Sequence, residues 1–470
     1  MNATDLTALL PLLVMGGTIL AVMLATAIFR RPGPVAVLAV LGAVLALAAL
    51  WPARAVAPRQ VTPLLVVDFY AIFFMGLILA ASILVLLLAH GYLGRRGDPP
   101  EAFHLLVLLA TLGAMAVVAS DHFAAFFLGL ETISIALIGL IAYPRAHGKP
   151  LEAGIKYLIL AGFSSALLLF GIALVYLRLG TMAFPRIAAS RAPGDVGWLA
   201  ALALIFAGFG FKLSIVPFHM WAPDVYQGAP APVTGFIAVV SKAALFALLL
   251  RWFAATGAEA AAMIQAAAIA SMLAGNLLAL LQTDVKRILA YSSIAHIGYL
   301  LLPLLAGGAL GLEAVAYYLG AYSVMTLGAF GIVTVLSAGE DGDDASALEC
   351  YRGLAWRRPF LAAGFTLMLL SLAGLPPTMG FFAKFYALAA GISGRWWPAV
   401  AALVAGSAIG LVYYLRIIVV MVQPAPALQA PPGPAPWLGM AVIGALAAVL
   451  IWLGVDPAPL VGILHTLRVG

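Results

Sequence analysis

The sequence predicts an all-α integral membrane protein of about fourteen transmembrane helices, containing two inverted five-helix repeats, with the seventh and twelfth helices broken. Three observations predict it. Apolar residues fill 65% of the 470 positions and charged residues only 9%, against about a quarter charged in ordinary soluble domains. A soluble chain of this length has no interior large enough for so many apolar side chains, whereas a lipid-facing surface accepts them. Apolar runs of about 20 residues, the length that crosses a hydrocarbon core of about 30 Å, recur along the whole chain. Proline also interrupts two of these runs at matching places: Pro217 in LSIVPFHMWAP, and Pro376 with Pro377 in LAGLPPTMGFF.

In chain order the spans cover roughly 8–29, 35–51, 64–90, 103–119, 121–142, 155–178, 198–220, 231–253, 259–281, 288–306, 313–336, 360–392, 398–422 and 436–455. The opening MNATDLTALLPLLVMGG lacks a basic n-region and a small-residue cleavage site, so it reads as a retained first helix. The fifth span is entered through Ser120-Asp121 and the tenth through Thr283-Asp284. Five spans separate these corresponding elements, so the two halves insert with opposite topology. Inverted repeats with broken helices mark a midplane ion pathway in transporters, because proline removes a backbone hydrogen bond and frees carbonyls that only protein or water can satisfy. A harmless kink is the plainer account of any single break.

Connections are short. The longest, 337–359, carries an acidic run at Glu340–Asp344 and then Arg352, Arg357 and Arg358, and the linker 423–436 is proline-rich and extended. The chain divides into four segments: 1–102 with three helices, 103–256 as the first repeat, 257–425 as the second, and 426–470 with a linker and the last helix. With the N-terminus outside, one side of the membrane receives Arg30, Arg31, Arg95, Arg96, Arg145, Lys149, Lys156, Lys286, Arg287, Arg352, Arg357 and Arg358. The other receives Arg54, Arg59, Arg178, Arg186, Arg191, Arg251, Arg395 and Arg468. The excess on the first side makes it cytoplasmic by the positive-inside rule and leaves both termini outside.

Composition also excludes functions. Cys350 is the one cysteine, so the chain has neither an internal disulfide nor the roughly four ligands that an iron–sulfur cluster needs. The net charge of +6 sits mostly in loops and reads as topology rather than nucleic-acid binding.

Four ionisable residues stand in the middle of apolar spans: Glu131 in FFLGLETISIAL, Lys212 in FGFKLSIVPF, Lys242 in VVSKAALFALL and Lys384 in TMGFFAKFYALAAG. Each costs about 2.5–3.5 kcal/mol at bilayer depth, about 10 kcal/mol together, which rivals the net stability of many domains. Snorkelling rescues charges near helix ends, but Lys242 lies about eleven residues, or about 16 Å, from either end of its span. A static ion pair that only fixes packing is the other bland account; one acid does not balance three lysines. Movement of Glu131 relative to Lys212 would alter the proton occupancy of that lysine, so the set reads as a proton relay. His296 in the tenth span could join it, since histidine titrates near neutrality, or could be a hydrogen-bonded packing residue; His219, beside the first break, is a lesser candidate of the same kind. Asp68, Asp224 and Arg416 lie near span ends, where hydration makes structural roles the simpler reading.

The stretch FKLSIVPFHMWAPDVYQGAPAPVTGFIAVVSKAA closely resembles the helix 7–8 signature of the N-type subunits of proton-pumping NADH:quinone oxidoreductase, respiratory complex I. TDVKRILAYSSIAHIGYLLL, LAGLPPTMGFFAKFYAL and FFLGLETISIALIGLIAY are similar to the helix 10, 12 and 5 signatures, and the motifs together cover 103 to about 420. The resemblance implies fourteen helices with inverted repeats at helices 4–8 and 9–13. It makes Glu131 and Lys212 a charged pair that couples to neighbouring subunits, Lys242 the central relay lysine, and Lys384 the lysine toward the periplasmic exit. It implies a bacterial inner membrane location, membrane lipids and other complex I membrane-arm subunits as partners, and quinone as substrate of the whole complex. No cofactor is expected on this chain; FMN and iron–sulfur clusters belong to partner subunits.

Lys384 and DVYQGAP separate the chain from M-type subunits, which carry glutamate at the helix 12 site. The absence of a long lateral helix after the last span separates it from L-type subunits. Thr132, after the helix 5 glutamate, and LECYRGL around Cys350 depart from the usual pattern, which affects loop contacts more than the charged series. A subunit of a multi-subunit cation/proton antiporter, or an assembly scaffold without its own proton route, are the rival readings.

Overall fold

A computed structural model of the chain describes residues 2–29, 32–96, 100–143, 148–190, 195–337, 344–424 and 435–467. Of the loop features above, Arg30, Arg31, Arg145, Arg191, Arg468, Glu340, Asp341, Asp343 and linker residues 425–434 lie outside the described residues.

Among the described residues thirteen helices are long and apolar enough to cross a membrane. They begin with α1 (Ala3–Phe29), α2 (Pro32–Ala48), α3 (Phe69–Arg96), α4 (Pro100–Val118), α5 (Phe123–Ile141), α6 (Gly148–Leu179) and α7 (Val196–Leu213). They continue with α8 (Ala231–Phe253), α9 (Ala261–Leu280), α10 (Val285–Ala306) and α11 (Gly308–Ser337). Two shorter apolar helices, α12 (Pro359–Ala373) and α13 (Met379–Ser393), share the predicted twelfth span. The last two long helices are α14 (Trp397–Val422) and α15 (Trp437–Val455). All fourteen predicted spans are therefore helical, with the twelfth in two pieces.

The expected break in the seventh span is also present. α7 stops at Leu213, and a short helix at Trp221–Gly228 comes after the turn. Both breaks are built alike. Ser214 (φ 57°) and Gly374 (φ 86°) are left-handed caps, and a proline, Pro217 or Pro377, stands three residues later in each. Ile215 N donates to Gly210 O at 2.7 Å, and Leu375 N to Leu370 O at 3.1 Å. These bonds satisfy carbonyls that a stopped helix would otherwise leave unpaired.

The chain is not helical throughout. Arg59–Thr62 (β1) and Leu65–Val67 (β2) pair antiparallel, with Arg59 opposite Val67, so the third helix starts at Phe69 rather than at 64. Valine and threonine favour the extended backbone here, Pro63 turns the chain, and Val66 N reaches Ala119 O at 2.9 Å. The two matching helix entrances also differ. Asp284 caps α10 by accepting from Arg287 N at 3.0 Å, whereas α5 is capped by His122 rather than Asp121, with Nδ1 accepting from Ala124 N at 3.1 Å.

Burial defines the axis of the molecule. In the most apolar stretches of α8, α10 and α11, 100%, 94% and 89% of the residues are buried, against 33–39% in α1, α2, α6, α14 and α15. The outer helices carry a lipid-facing apolar surface, while the three inner ones are enclosed by protein. α9 and α10 meet at backbone contact: a Cβ on Gly275 would lie 2.7 Å from Ala295 N, and one on Gly298 would lie 2.8 Å from Met272 N. Small residues permit this close approach in membrane bundles.

Candidate functional site

The charged residues picked out in the sequence fall in or beside the enclosed axis. Lys212, Lys242 and Lys384 are only 5%, 1% and 7% exposed, and His296 is equally buried. Glu131 is half-buried on α5.

Lys212 lies in the last turn of α7, just before Leu213 and the left-handed Ser214 cap. Its Nζ donates to Ser134 Oγ on α5 at 2.7 Å. Glu131 sits one turn away on α5 and accepts instead from Ser165 Oγ on α6 at 2.6 Å. The two charges expected as a pair are thus neighbours held apart by serines, with no direct ion pair between them among the described residues.

Lys242 comes directly after a π-helical turn, Ile237–Ser241, in the middle of α8. Such a turn takes in one extra residue and is frequent at functional sites. The Lys242 ammonium donates to Ser293 Oγ on α10 at 2.6 Å and lies 5.6 Å from the ring centroid of Tyr226. Ser293 in turn bonds the Tyr322 hydroxyl on α11 at 2.6 Å.

One helical turn along α10, His296 Nδ1 meets the Tyr318 hydroxyl at 2.8 Å. Its Nε2 lies 3.4 Å from Tyr414 OH on α14, and that hydroxyl also bonds Ser292. Ser292, Ser293 and His296 occupy one face of α10 at i, i+1 and i+4, so α10 presents two hydroxyl-linked groups side by side. His296 joins the series by geometry. His219 does not: it lies in the turn after α7, and its Nδ1 has no hydrogen-bond partner among the described residues.

Lys384, on α13, donates to Ala373 O and to Ser407 Oγ on α14, both at 2.7 Å. Its Nζ stands 5.3 Å from the Tyr299 ring centroid. The Tyr299 hydroxyl accepts from Asn276 Nδ2 at 2.8 Å, and Tyr413 donates to Asn276 Oδ1 at 3.0 Å. The break thus supplies the carbonyl that holds the lysine. Gly374 is required there twice over, for its positive φ and because a Cβ would lie 2.6 Å from Lys384 Cδ.

Asp68, Asp224 and Arg416 each have bonded partners near the span ends. Asp68 forms a buried ion pair with Arg251 at 3.0 Å, and the Arg251 guanidinium lies 5.1 Å from the Tyr70 ring. Asp224 bridges Arg287 and Lys156 at 2.8 and 3.1 Å. Arg416 caps α9 by donating to Leu280 O and Gln282 O.

A transmembrane family model described as NADH:quinone oxidoreductase/Mrp antiporter matches residues 120–410, well over half the chain. The chain belongs to this family. Within the family, a Nitrosospira multiformis protein called NADH-quinone oxidoreductase subunit N is 52% identical, covering 98% of this chain and 96% of that protein. Among solved structures, a chain of respiratory complex I from Thermus thermophilus with bound aureothin superposes with a TM-score of 0.85 at 32% identity, covering 97% of this chain and 99% of that one. A chain of the Mrp complex from Dietzia superposes with a TM-score of 0.87 at 22% identity, covering 99% and 97%; at that identity the likeness is one of fold.

Sequence reasoning found the ions but missed their partners. Ser134, Ser165, Ser293, Ser407, Tyr318 and Tyr414 bond the ionisable groups directly, Ser292 and Tyr322 bond those partners in turn, and two signals were available. The Ser292–Ser293 doublet interrupts an apolar span, and Tyr318 and Tyr322 are spaced by one turn on α11. The π turn leaves no comparable trace.

Proposed function

We propose that this chain is a proton-translocating membrane-arm subunit of a NADH:quinone oxidoreductase, with Glu131, Lys212, Lys242, His296 and Lys384 as its proton-carrying groups. NADH oxidation and quinone reduction belong to partner chains that carry FMN and iron–sulfur clusters; this chain contributes to the enzyme as part of a translocase. Subunit N relatives about half identical over nearly their whole length support the assignment to the complex.

The observation that carries the proton reading is the environment of Lys242. An amine in a fully enclosed helix, bonded to one serine hydroxyl that continues to a tyrosine, has neutral partners through which a proton can pass, and no carboxylate bonded to it to fix its charge. The same pattern of lysine plus neutral oxygen recurs at Lys212 and Lys384. A charge held merely for packing would be expected to have a countercharge.

Energy released by the redox partners would arrive as a displacement or change of field at Glu131, which is separated from Lys212 by one turn of α5. A shift of that carboxylate changes the proton affinity of Lys212 and then of the groups beyond it. We place residues 103–256 and 257–425 as the two inverted repeats and both termini on the periplasmic face of the bacterial inner membrane. The similarly capped breaks after Leu213 and Ala373 support the first placement, and the loop lysines and arginines support the second.

Replacing Lys242 by methionine in the assembled complex, reconstituted in proteoliposomes, tests the proposal. Protons moved per NADH oxidised should fall, with coupled electron transfer. Unchanged stoichiometry in a fully assembled Lys242→Met complex would remove the basis for the relay.

A further inference from the structure

Two buried hydroxyls flanking the Lys242 series lack hydrogen-bond partners among the described residues: Tyr226 OH and Thr326 Oγ1. Tyr226 is 0% exposed and Thr326 4%. Leaving a buried hydroxyl unsatisfied costs about 1–3 kcal/mol, and native interiors meet that need with protein or with ordered water.

Other hydroxyls along α11 are satisfied locally. Ser323, Thr334 and Ser337 each donate to the carbonyl four residues earlier, at 2.7 Å. Thr326 forgoes that bond and sits one turn beyond Tyr322, the end of the Lys242–Ser293–Tyr322 series, whose hydroxyl it approaches without closing a hydrogen bond. At the other end, the Tyr226 ring lies under the Lys242 ammonium. Its hydroxyl approaches Ser293 but closes no hydrogen bond with it. Beyond Tyr226 a buried ionic cluster follows. The short helix that carries it leads into Ala229, whose carbonyl accepts from Lys286 at 2.6 Å, and Lys286 pairs with Asp344 at 2.7 Å.

We propose that Tyr226 and Thr326 are proton-passing residues that extend the Lys242–Ser293–Tyr322 series at its two ends, each holding a water molecule against its free hydroxyl. The inference rests on the proton-carrying reading of Lys242. In each passage the hydroxyl oxygen accepts a proton from one neighbour while its own proton leaves to the next. One O–H bond forms as another breaks, and the hydroxyl ends neutral. At Lys242 the amine lone pair becomes an N–H bond, and the positive charge moves from the bound water to the ammonium.

Tyr226→Phe and Thr326→Val test this in the complete reconstituted complex, because neither hydroxyl closes a protein hydrogen bond among the described residues. On structural grounds alone both would be neutral or stabilising. The expected result is a severalfold loss of protons moved per NADH, with the thermal transition of the complex unchanged or raised. Wild-type stoichiometry in both variants overturns the proposal, and so does a loss accompanied by a lower thermal transition, which would mark a packing role. Lys242→Met, measured alongside, separates the two levels. If it pumps fully, the parent reading has failed. If it loses pumping while Tyr226→Phe and Thr326→Val keep theirs, this inference alone falls.

Discussion

Lys384 holds the carbonyl of Ala373 at 2.7 Å, and that carbonyl is free because the residue four positions on, where a continuous helix would place its donor, is Pro377. Proline has no N–H to give. The broken helix and the buried lysine therefore satisfy each other, and the sequence that makes one makes a place for the other.

Gly374→Ala should weaken this arrangement. A left-handed backbone costs an L-residue about 1–2 kcal/mol, and the added Cβ would press on Lys384 Cδ at 2.6 Å. We expect a lower thermal transition of the complex together with reduced proton transport, measured on the same reconstituted preparation. An unchanged transition would show that the break tolerates a side chain.

Ser293→Ala removes the hydroxyl that accepts from Lys242. Hydrogen bonds to charged groups contribute about 1.5–3 kcal/mol, so the variant should lose both stability and pumping. Ser292→Ala, which loses a bond to Tyr414 and none to Lys242, should keep more of each. Proton-to-electron ratios for the two variants give the order directly, and a reversed order would shift weight from Lys242 to His296.

The Asp68–Arg251 pair is predicted to matter for assembly rather than transport. Removing one member leaves the other charge buried, at a cost of about 3–5 kcal/mol, so Arg251→Met should deplete the subunit from the native complex on gels. Adding Asp68→Asn, which removes the charge but keeps an oxygen to accept from Ala71 N, should restore it. Failure of the double variant to recover would assign the pair a role beyond charge balance.

Transport through the subunit should be indifferent to sodium. Proteoliposomes carrying the complete complex should show the same proton movement in choline and in sodium buffers. A sodium requirement would instead favour the cation/proton antiporter reading, the natural competitor in a family whose description includes the Mrp antiporter.

Much of this molecule is legible in its residues. Hydrophobic length locates every span, since a helix must cross about 30 Å of lipid, and proline locates both breaks. Charges at bilayer depth locate Lys212, Lys242 and Lys384 because their insertion cost has no cheap structural account. The features that stay hidden depend on three-dimensional placement. Ser134 and Ser293 look like ordinary small residues until the neighbouring helix sets a lysine against them. The Arg59–Val67 hairpin is lost among apolar residues because a strand of three or four residues has too short a pattern to stand out. His122 replaces Asp121 as a cap through backbone geometry alone, which composition does not encode.

The π turn at Ile237–Ser241 also gives α8 a residue of slack. An α-helix closes a turn in about 3.6 residues, and a π bulge widens one turn to take in an extra position. Deleting one residue between Pro230 and Ser241 could therefore be absorbed by the bulge closing to an ordinary α turn, with Lys242 still set against Ser293. A one-residue insertion has no such outlet and would turn the lysine by about 100°, leaving a subunit that still spans the membrane but is mis-set at its centre.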